Sequence, residues 1–190
     1  IRELSLGESF DLLGCQWLEV EDGTYISQTE YIVSKLKPIP LEHFAPAESR
    51  EISPGTRLYN LFREALGQLI WLQKTRFEFC FDISILAATV SELTISEFHY
   101  INDIIREVVD TKSRALFLPR LPDDAEPVVI GVLDASLGGR KDLSSQGARS
   151  IGLSVEGTTF FAPVDVSSRR IKRRGNSSFD VETLKAVETT

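Results

Sequence analysis

Two acidic side chains and one run of cations carry most of the chemistry that this sequence can do. Residues 127 to 133 read PVVIGVL, an apolar run of strand length, and lead into Asp134-Ala135-Ser136. A carboxylate closing a buried strand costs desolvation energy unless a metal, a cation or hydrogen bonds compensate it, which singles out Asp134. The second acid is Glu182, in the first turns of a helix expected to start at Ser177-Ser178-Phe179-Asp180, where Ser177 and Asp180 have capping-box spacing. Two hard oxygen ligands suit Mg²⁺, and Mg²⁺ beside a cationic surface suits a phosphodiester substrate. Arg169, Arg170, Lys172, Arg173 and Arg174 supply that surface, five cations in six residues followed by Gly175 and Asn176. As a phosphate-contacting loop they would lie at the edge of the site. By composition alone the same run also describes a solvated loop or a nuclear-localisation-like tract, and Asp134 and Glu182 could be ordinary surface acids.

The elements that must position these groups form a short meander. Gly138 and Gly139 turn the chain after the first strand, Ser150 to Val155 gives a second, Glu156-Gly157 a second turn, and Thr158 to Val166 a third. Val181, Leu184 and Val187 give the closing helix an apolar face.

The region before it is built differently. Phe10 to Val20 is rich in aliphatic and aromatic residues and runs into Asp22-Gly23, a tight-turn pair, with a return strand at Thr24 to Ile26. Ser27-Gln28-Thr29-Glu30 has capping-box spacing for a short helix through Leu36, which Pro38 and Pro40 end. Residues 37 to 56 hold four prolines and read as loop. Apolar positions 58, 61, 62, 65, 66, 69 and 70 place one wide stripe on a helix from about Arg57 to Thr75. A second apolar helix follows from Phe79 to Val90. A third, behind the capping box Thr94-Ile95-Ser96-Glu97, buries Ile95, Phe98, Ile101, Ile105 and Val108 and ends near Asp110. These three helices should bundle, with Trp17, Trp71, Phe62 and Phe98 as core.

Charge divides the chain as well. Residues 131 to 190 hold nine basic and seven acidic side chains, which leaves 12 basic and 21 acidic for residues 1 to 130. Prolines 119, 122 and 127, interspersed with Asp123, Asp124 and Glu126, mark a linker between them. The expected organisation is therefore α+β, with a first domain over 1–118, a linker over 119–127 and a second domain over 128–190. At 190 residues, with 42% hydrophobic residues and a net charge of −7, disorder, collagen, coiled coil and disulfide scaffold are excluded. No apolar run approaches the roughly 20 residues of a bilayer span, and no secretion signal opens the chain, so no membrane partner is expected. Cys15 and Cys80 have neither zinc nor disulfide spacing, and His43 and His99 stand apart from any ligand cluster, which suggests a reducing intracellular setting, cytoplasmic or nuclear. The chain starts at Ile1 and contains no Met, and is read as a piece of a longer product.

Taken in order, five segments resemble the C-terminal part of the polyprotein of copia-type retrotransposons. FDLLGCQWLEVEDGTYISQTEYIVSKL, from Phe10 to Leu36, is similar to the family's segment in which an "FLG" strand leads through a hairpin to "SQ..YI..LL". YNLFREALGQLIWLQKTRFEFCF, from Tyr59 to Phe81, resembles "YR..VGSL.WL...TRPDI.F", and GVLDASLGG, from Gly131 to Gly139, resembles "GYSDASFG", the strand with the first RNase H aspartate. Ser145-Gln146-Gly147 resembles "SQGG", and RIKRRGNSSFDVETL, from Arg170 to Leu184, resembles "KIKRVVRSTLAAETL", which carries the family's glutamate. The resemblance implies a reverse transcriptase thumb and connection segment, an N-terminal hairpin with a helical bundle. A truncated RNase H-like sheet of three antiparallel strands and one helix would follow.

In the intact parent such a domain cleaves the RNA strand of an RNA–DNA hybrid with two Mg²⁺ ions. Asp134 and Glu182 would then be catalytic metal ligands, and Arg169 to Arg174 would face the hybrid backbone. Such a duplex is read by shape, phosphate and 2′-OH contacts. Phe77-Glu78 departs from the family's Pro-Asp, and Phe179, Asp180 and Val181 from its small residues. The polymerase aspartates would lie before Ile1 and two further RNase H carboxylates after Thr190, so the piece is expected to be inactive alone, with the rest of the polyprotein as partner. Two other readings stay open: a non-enzymatic nucleic-acid-binding module derived from a decayed or co-opted element, and a plain interaction domain.

Overall fold

The computed structural model describes residues 6–41, 51–137, 144–171, 177 and 182. Among the described residues seven strands and four helices make an α+β fold, as the patterning implies: β1 (Ser9–Leu12), β2 (Cys15–Val20), β3 (Gly23–Ser27), α1 (Thr29–Lys35), α2 (Arg57–Leu72), α3 (Cys80–Ala88), α4 (Ile95–Asp110), β4 (Leu116–Pro119), β5 (Pro127–Ser136), β6 (Gln146–Val155) and β7 (Ala162–Arg170). Short 3-10 turns at Phe77–Phe79 and Val90–Glu92 flank α3. The strands form a four-stranded sheet in the order β1-β2-β3-β4 and a three-stranded sheet in the order β5-β6-β7. Two compact units result, one of residues 1–20 with 25–116 and one of residues 21–24 with 117–190.

The first unit is organised by its helices. α2 buries Phe62, Ala65, Leu66, Leu69 and Leu72, and α4 buries the whole stripe expected of it, Ile95, Phe98, Ile101, Ile105 and Val108, together with Ile104 and Asn102. Phe62 and Phe98 meet at the centre with ring centroids 5.1 Å apart, and Ile32, Leu36, Ile39, Ile83 and Leu86 close around them. The Glu97 carboxylate accepts the Thr94 amide (2.9 Å) and hydroxyl (2.5 Å) at the start of α4. Trp17 and Trp71 are only half-buried, Trp17 stacking on Phe10 at 5.8 Å and Trp71 receiving Lys74 over its ring.

Buried polar contacts lock this core. The Asn102 amide donates to the Ile39 carbonyl (2.8 Å) and its oxygen accepts the Ile39 amide (2.7 Å), tying the Pro38–Pro40 segment to α4. Arg76 is 2% exposed and donates to Glu78 (2.7 Å), the Thr111 hydroxyl (2.7 Å) and the Thr111 carbonyl (3.2 Å), with Phe79 under its guanidinium. The acid at 78 thus serves as the partner of Arg76. Gln28, 1% exposed, packs its amide on Thr75, the Leu72 carbonyl and the Trp71 indole; donating to the first two and accepting from Trp71 satisfies all three.

Several local expectations change. The Phe10–Val20 stretch is two strands broken at Leu13-Gly14, both with positive φ (53° and 73°), as a tight hairpin requires. The next turn is Glu21-Asp22, and Gly23 opens β3: a side chain there would collide with the Leu118 carbonyl of β4, while Asp22 accepts the Arg120 amide (2.7 Å). Ser27 does not cap α1, because it belongs to β3. The cap position falls on Gln28, whose side chain is committed to Thr75. Leu116–Pro119, where no element is expected, forms β4, so its last residue lies within the stretch read as linker.

In the second unit the strands are longer than the sequence pattern marks. β5 pairs antiparallel with β6 from Pro127↔Val155 to Ser136↔Gln146, and β6 pairs with β7 from Gln146↔Arg170 to Leu153↔Ala162, with a bulge at Ile151/Gly152. The third strand starts at Ala162 and not Thr158, and it runs through Arg169 and Arg170.

Candidate functional site

Asp134 lies inside β5, two residues short of its end, opposite Ala148 of β6, which itself faces Ser168 of β7. Paired residues of an antiparallel sheet share a face, and residues two apart along a strand return to it. The next row on that face is Ser136, Gln146 and Arg170, and the Gln146 amide donates to the Ser168 hydroxyl at 2.7 Å. Asp134 and Arg170 therefore share one face with their Cα atoms about 12 Å apart by sheet spacing. The opposite face carries Leu133, Arg149 and Ser167 in one row and Ala135, Gly147 and Arg169 in the next. Arg149 donates to Asp165 there at 2.9 and 3.2 Å, an ion pair that the sequence pattern did not mark.

Two sequence-based arguments are corrected by this geometry. Asp134 does not close a buried strand: it is exposed, and so are Val129 (73%), Val132 (56%), Ile130 (39%) and Leu133 (37%). Desolvation consequently does not single it out. Its Oδ1 accepts the amide of Ala135 at 2.8 Å. Nor do Arg169 and Arg170 form one loop patch. Both are exposed residues at the end of β7, and strand alternation sends them to opposite faces. Ile171, next in the tract, is buried and donates its amide to Ser145 (2.9 Å), which holds this end of β7 against β6.

Lys172, Arg173 and Arg174, and the Ser177–Asp180 capping pair apart from Ser177 itself, lie outside the described residues. Glu182 is helical and exposed, and its neighbours 178–181 and 183–190 are outside them too. Among the described residues no three His, Cys, Asp or Glu side chains cluster as a metal site, and no helix is long and apolar enough to cross a membrane. Asp134 and Glu182 are each a hard oxygen donor of the kind Mg²⁺ takes alongside waters and substrate phosphates. Elsewhere, burial pushes the Cys15 thiol above its ordinary range against the opposing pull of Lys74, which makes it a poor nucleophile. The His99 Nε2 is buried with no partner among the described residues, a packing position and not a ligand cluster.

Comparison of the chain with protein-family models, with curated proteins and with solved structures gives no match.

Proposed function

We propose that the chain is part of a copia-type retrotransposon polyprotein, residues 1–118 from the reverse transcriptase thumb and connection and residues 128–190 from the start of its RNase H domain, working inside the cell on RNA–DNA hybrids. The reading rests on five family-like segments in the right order. The observation that carries it on the structural side is the shared face of Asp134 and Arg170, an acid and a cation on one antiparallel meander. Bound Mg²⁺ would supply activation of water and neutralisation of phosphate charge. Asp134 and Glu182 would hold it, and Arg169, Arg170, Lys172, Arg173 and Arg174 would pair with backbone phosphates. Only Arg170 of the two described cations would do so on the Asp134 side.

The test is binding of a fluorescent RNA–DNA hybrid to the 190-residue chain as a function of salt. Five phosphate contacts give a log–log slope of roughly −4.5. Neutralising the five cations should abolish binding, while Asp134→Asn should preserve it and weaken only its dependence on Mg²⁺. Extending the chain through the downstream carboxylates should then restore Mg²⁺-dependent cleavage. Absence of binding at low salt refutes a nucleic-acid role. Binding without any Mg²⁺ dependence, and no cleavage by the extended chain, supports instead a non-enzymatic binding module, a reading that the exposed position of Asp134 favours.

A further inference from the structure

The outer edge of β5 is built for a partner strand, and we infer that the partner is β5 of a second copy of this chain, paired antiparallel about Gly131. The direction of the backbone groups is the starting point; on the retrotransposon reading a later strand of the same polyprotein is the competing occupant of this edge. Ile171 donates its amide to the Ser145 carbonyl, so the odd-numbered residues at this end of β6 hydrogen-bond to β7 and the even-numbered ones to β5. By register, Ile130, Val132, Asp134 and Ser136 of β5 then turn their amides and carbonyls toward β6. Val129, Gly131, Leu133 and Ala135 turn theirs outward. Two further observations agree. The Ala135 amide is taken by the Asp134 carboxylate and not by the ladder, and Pro127, which has no amide to give, occupies an outward position.

The outward donors are therefore Val129, Gly131 and Leu133, bounded at one end by Pro127 and at the other by an Ala135 already satisfied. That pattern is symmetric about Gly131. Two copies related by a two-fold axis there would pair Gly131 with Gly131, Val129 with Leu133, and Pro127 with Ala135, so that neither strand end asks for a donor that its mate lacks. About six backbone hydrogen bonds form across the central positions. The side chains match in the same register: Ile130 meets Val132 on one face and Val129 meets Leu133 on the other. These are the four apolar residues that β5 leaves between 37% and 73% exposed. The only charge of the strand, Asp134, falls beside Val128, and the two acids stand about 20 Å apart, so no like-charge contact opposes pairing. An edge strand without a central proline or lysine, apolar on both sides, lacks the usual devices that prevent this association. No described residue occupies the edge.

Two ten-residue strands laid edge to edge bury on the order of 1,000 Å², the lower end of specific interfaces, which sets the expected dissociation constant in the micromolar range. Sedimentation equilibrium of the full chain in reductant, from about 1 to 200 μM, should show a monomer–dimer equilibrium. Gly131→Pro removes the outward amide on the axis without touching the β5–β6 ladder, and should raise the dissociation constant at least about tenfold while leaving the circular dichroism unchanged. Gly131→Cys places two thiols on Cα atoms about 5.5 Å apart and should oxidise to a disulfide dimer. Val129→Cys, whose mate is Leu133, should not. A chain that stays monomeric throughout overturns the inference and leaves the edge to a different partner. A dimer indifferent to Gly131→Pro, or equal cross-linking at both cysteine positions, overturns the register and the proposal with it.

Discussion

Replacing Arg76 with Met removes a long cation that is almost fully buried in the first unit while keeping most of its alkyl stem. Three donor contacts disappear, to the Glu78 carboxylate, the Thr111 hydroxyl and the Thr111 carbonyl, as does the stacking on Phe79. Glu78 is 42% exposed and returns to water at little cost. The two Thr111 oxygens lose a charged donor in a part-buried position, and leaving such an acceptor unpaired costs about 1–3 kcal/mol. With two acceptors affected and Met restoring packing volume, about 3 kcal/mol is the expected loss. Both tryptophans of the chain, Trp17 and Trp71, belong to the first unit, so urea unfolding followed by tryptophan fluorescence reads that unit alone. With an m-value of about 2 kcal/mol/M the midpoint should fall by roughly 1.5 M. Thr111→Val, which deletes only the hydroxyl, should lose about 1 kcal/mol. Both losses should persist in about 1 M salt, because a buried pair is screened far less than a surface one. A loss below about 1 kcal/mol for Arg76→Met, or one that vanishes in high salt, would refute the view that this cluster ties the segment between α2 and α3 to the end of α4.

Asn102→Ala strands the amide and carbonyl of Ile39 inside the core and should cost about 2–4 kcal/mol in the same assay, with Asn102→Asp also destabilising because a carboxylate cannot donate to the Ile39 carbonyl. Gly23→Ala drives a methyl group into the Leu118 backbone and should destabilise by about 1–3 kcal/mol; hydrogen exchange at the Arg120 amide, bonded to Asp22, reads the damage locally. The Tyr100 hydroxyl is held above the ordinary tyrosine range by burial first, then by its hydrogen bond to the Asp82 carboxylate and that charge. A group whose folded pKa is raised stabilises the fold below its unfolded value, near 10, and loses that contribution as pH rises toward the folded value. Alkaline titration at the tyrosinate absorption band should therefore show Tyr100 ionising last, and Tyr100→Phe should flatten the fall of stability above about pH 10.

What could be read before folding depended on whether one face of one element decided the matter. The stripe of α4 and most of that of α2 follow the 3.6-residue period, and a period survives whatever the neighbours do. The role of Gln28 was not legible, since the Ser27-Gln28-Thr29-Glu30 spacing satisfies a capping motif and nothing local shows that Thr75 and Trp71 will claim the glutamine. Gly23 is similar: its reason lies at Leu118, 95 positions away, and only the pairing of distant chain makes a side chain there impossible. Arg169 and Arg170 looked like one patch because composition ignores alternation. Their separation follows from the two extra turns of pleat by which β7 outruns its apolar run.

The apolar character of β5 was the strongest signal in the second unit and also the one most open to misreading. A run such as PVVIGVL means that both faces of a strand and its edge seek cover, but it does not state when the cover arrives. In this chain the strand carries its apolar side chains largely in water, so the energetic argument that made Asp134 costly is inverted: an exposed carboxylate is well hydrated and binds a divalent cation weakly on its own. On the proposed reading, a duplex lying across the Asp134 face would strengthen metal binding there by excluding water and supplying phosphate oxygens as further ligands. Pairing about Gly131 leaves that face open while extending the sheet, so the two forms of cover are compatible. Strand association and hybrid binding should each be measurable with the other saturated, and Mg²⁺ dependence should follow the hybrid and not the dimer.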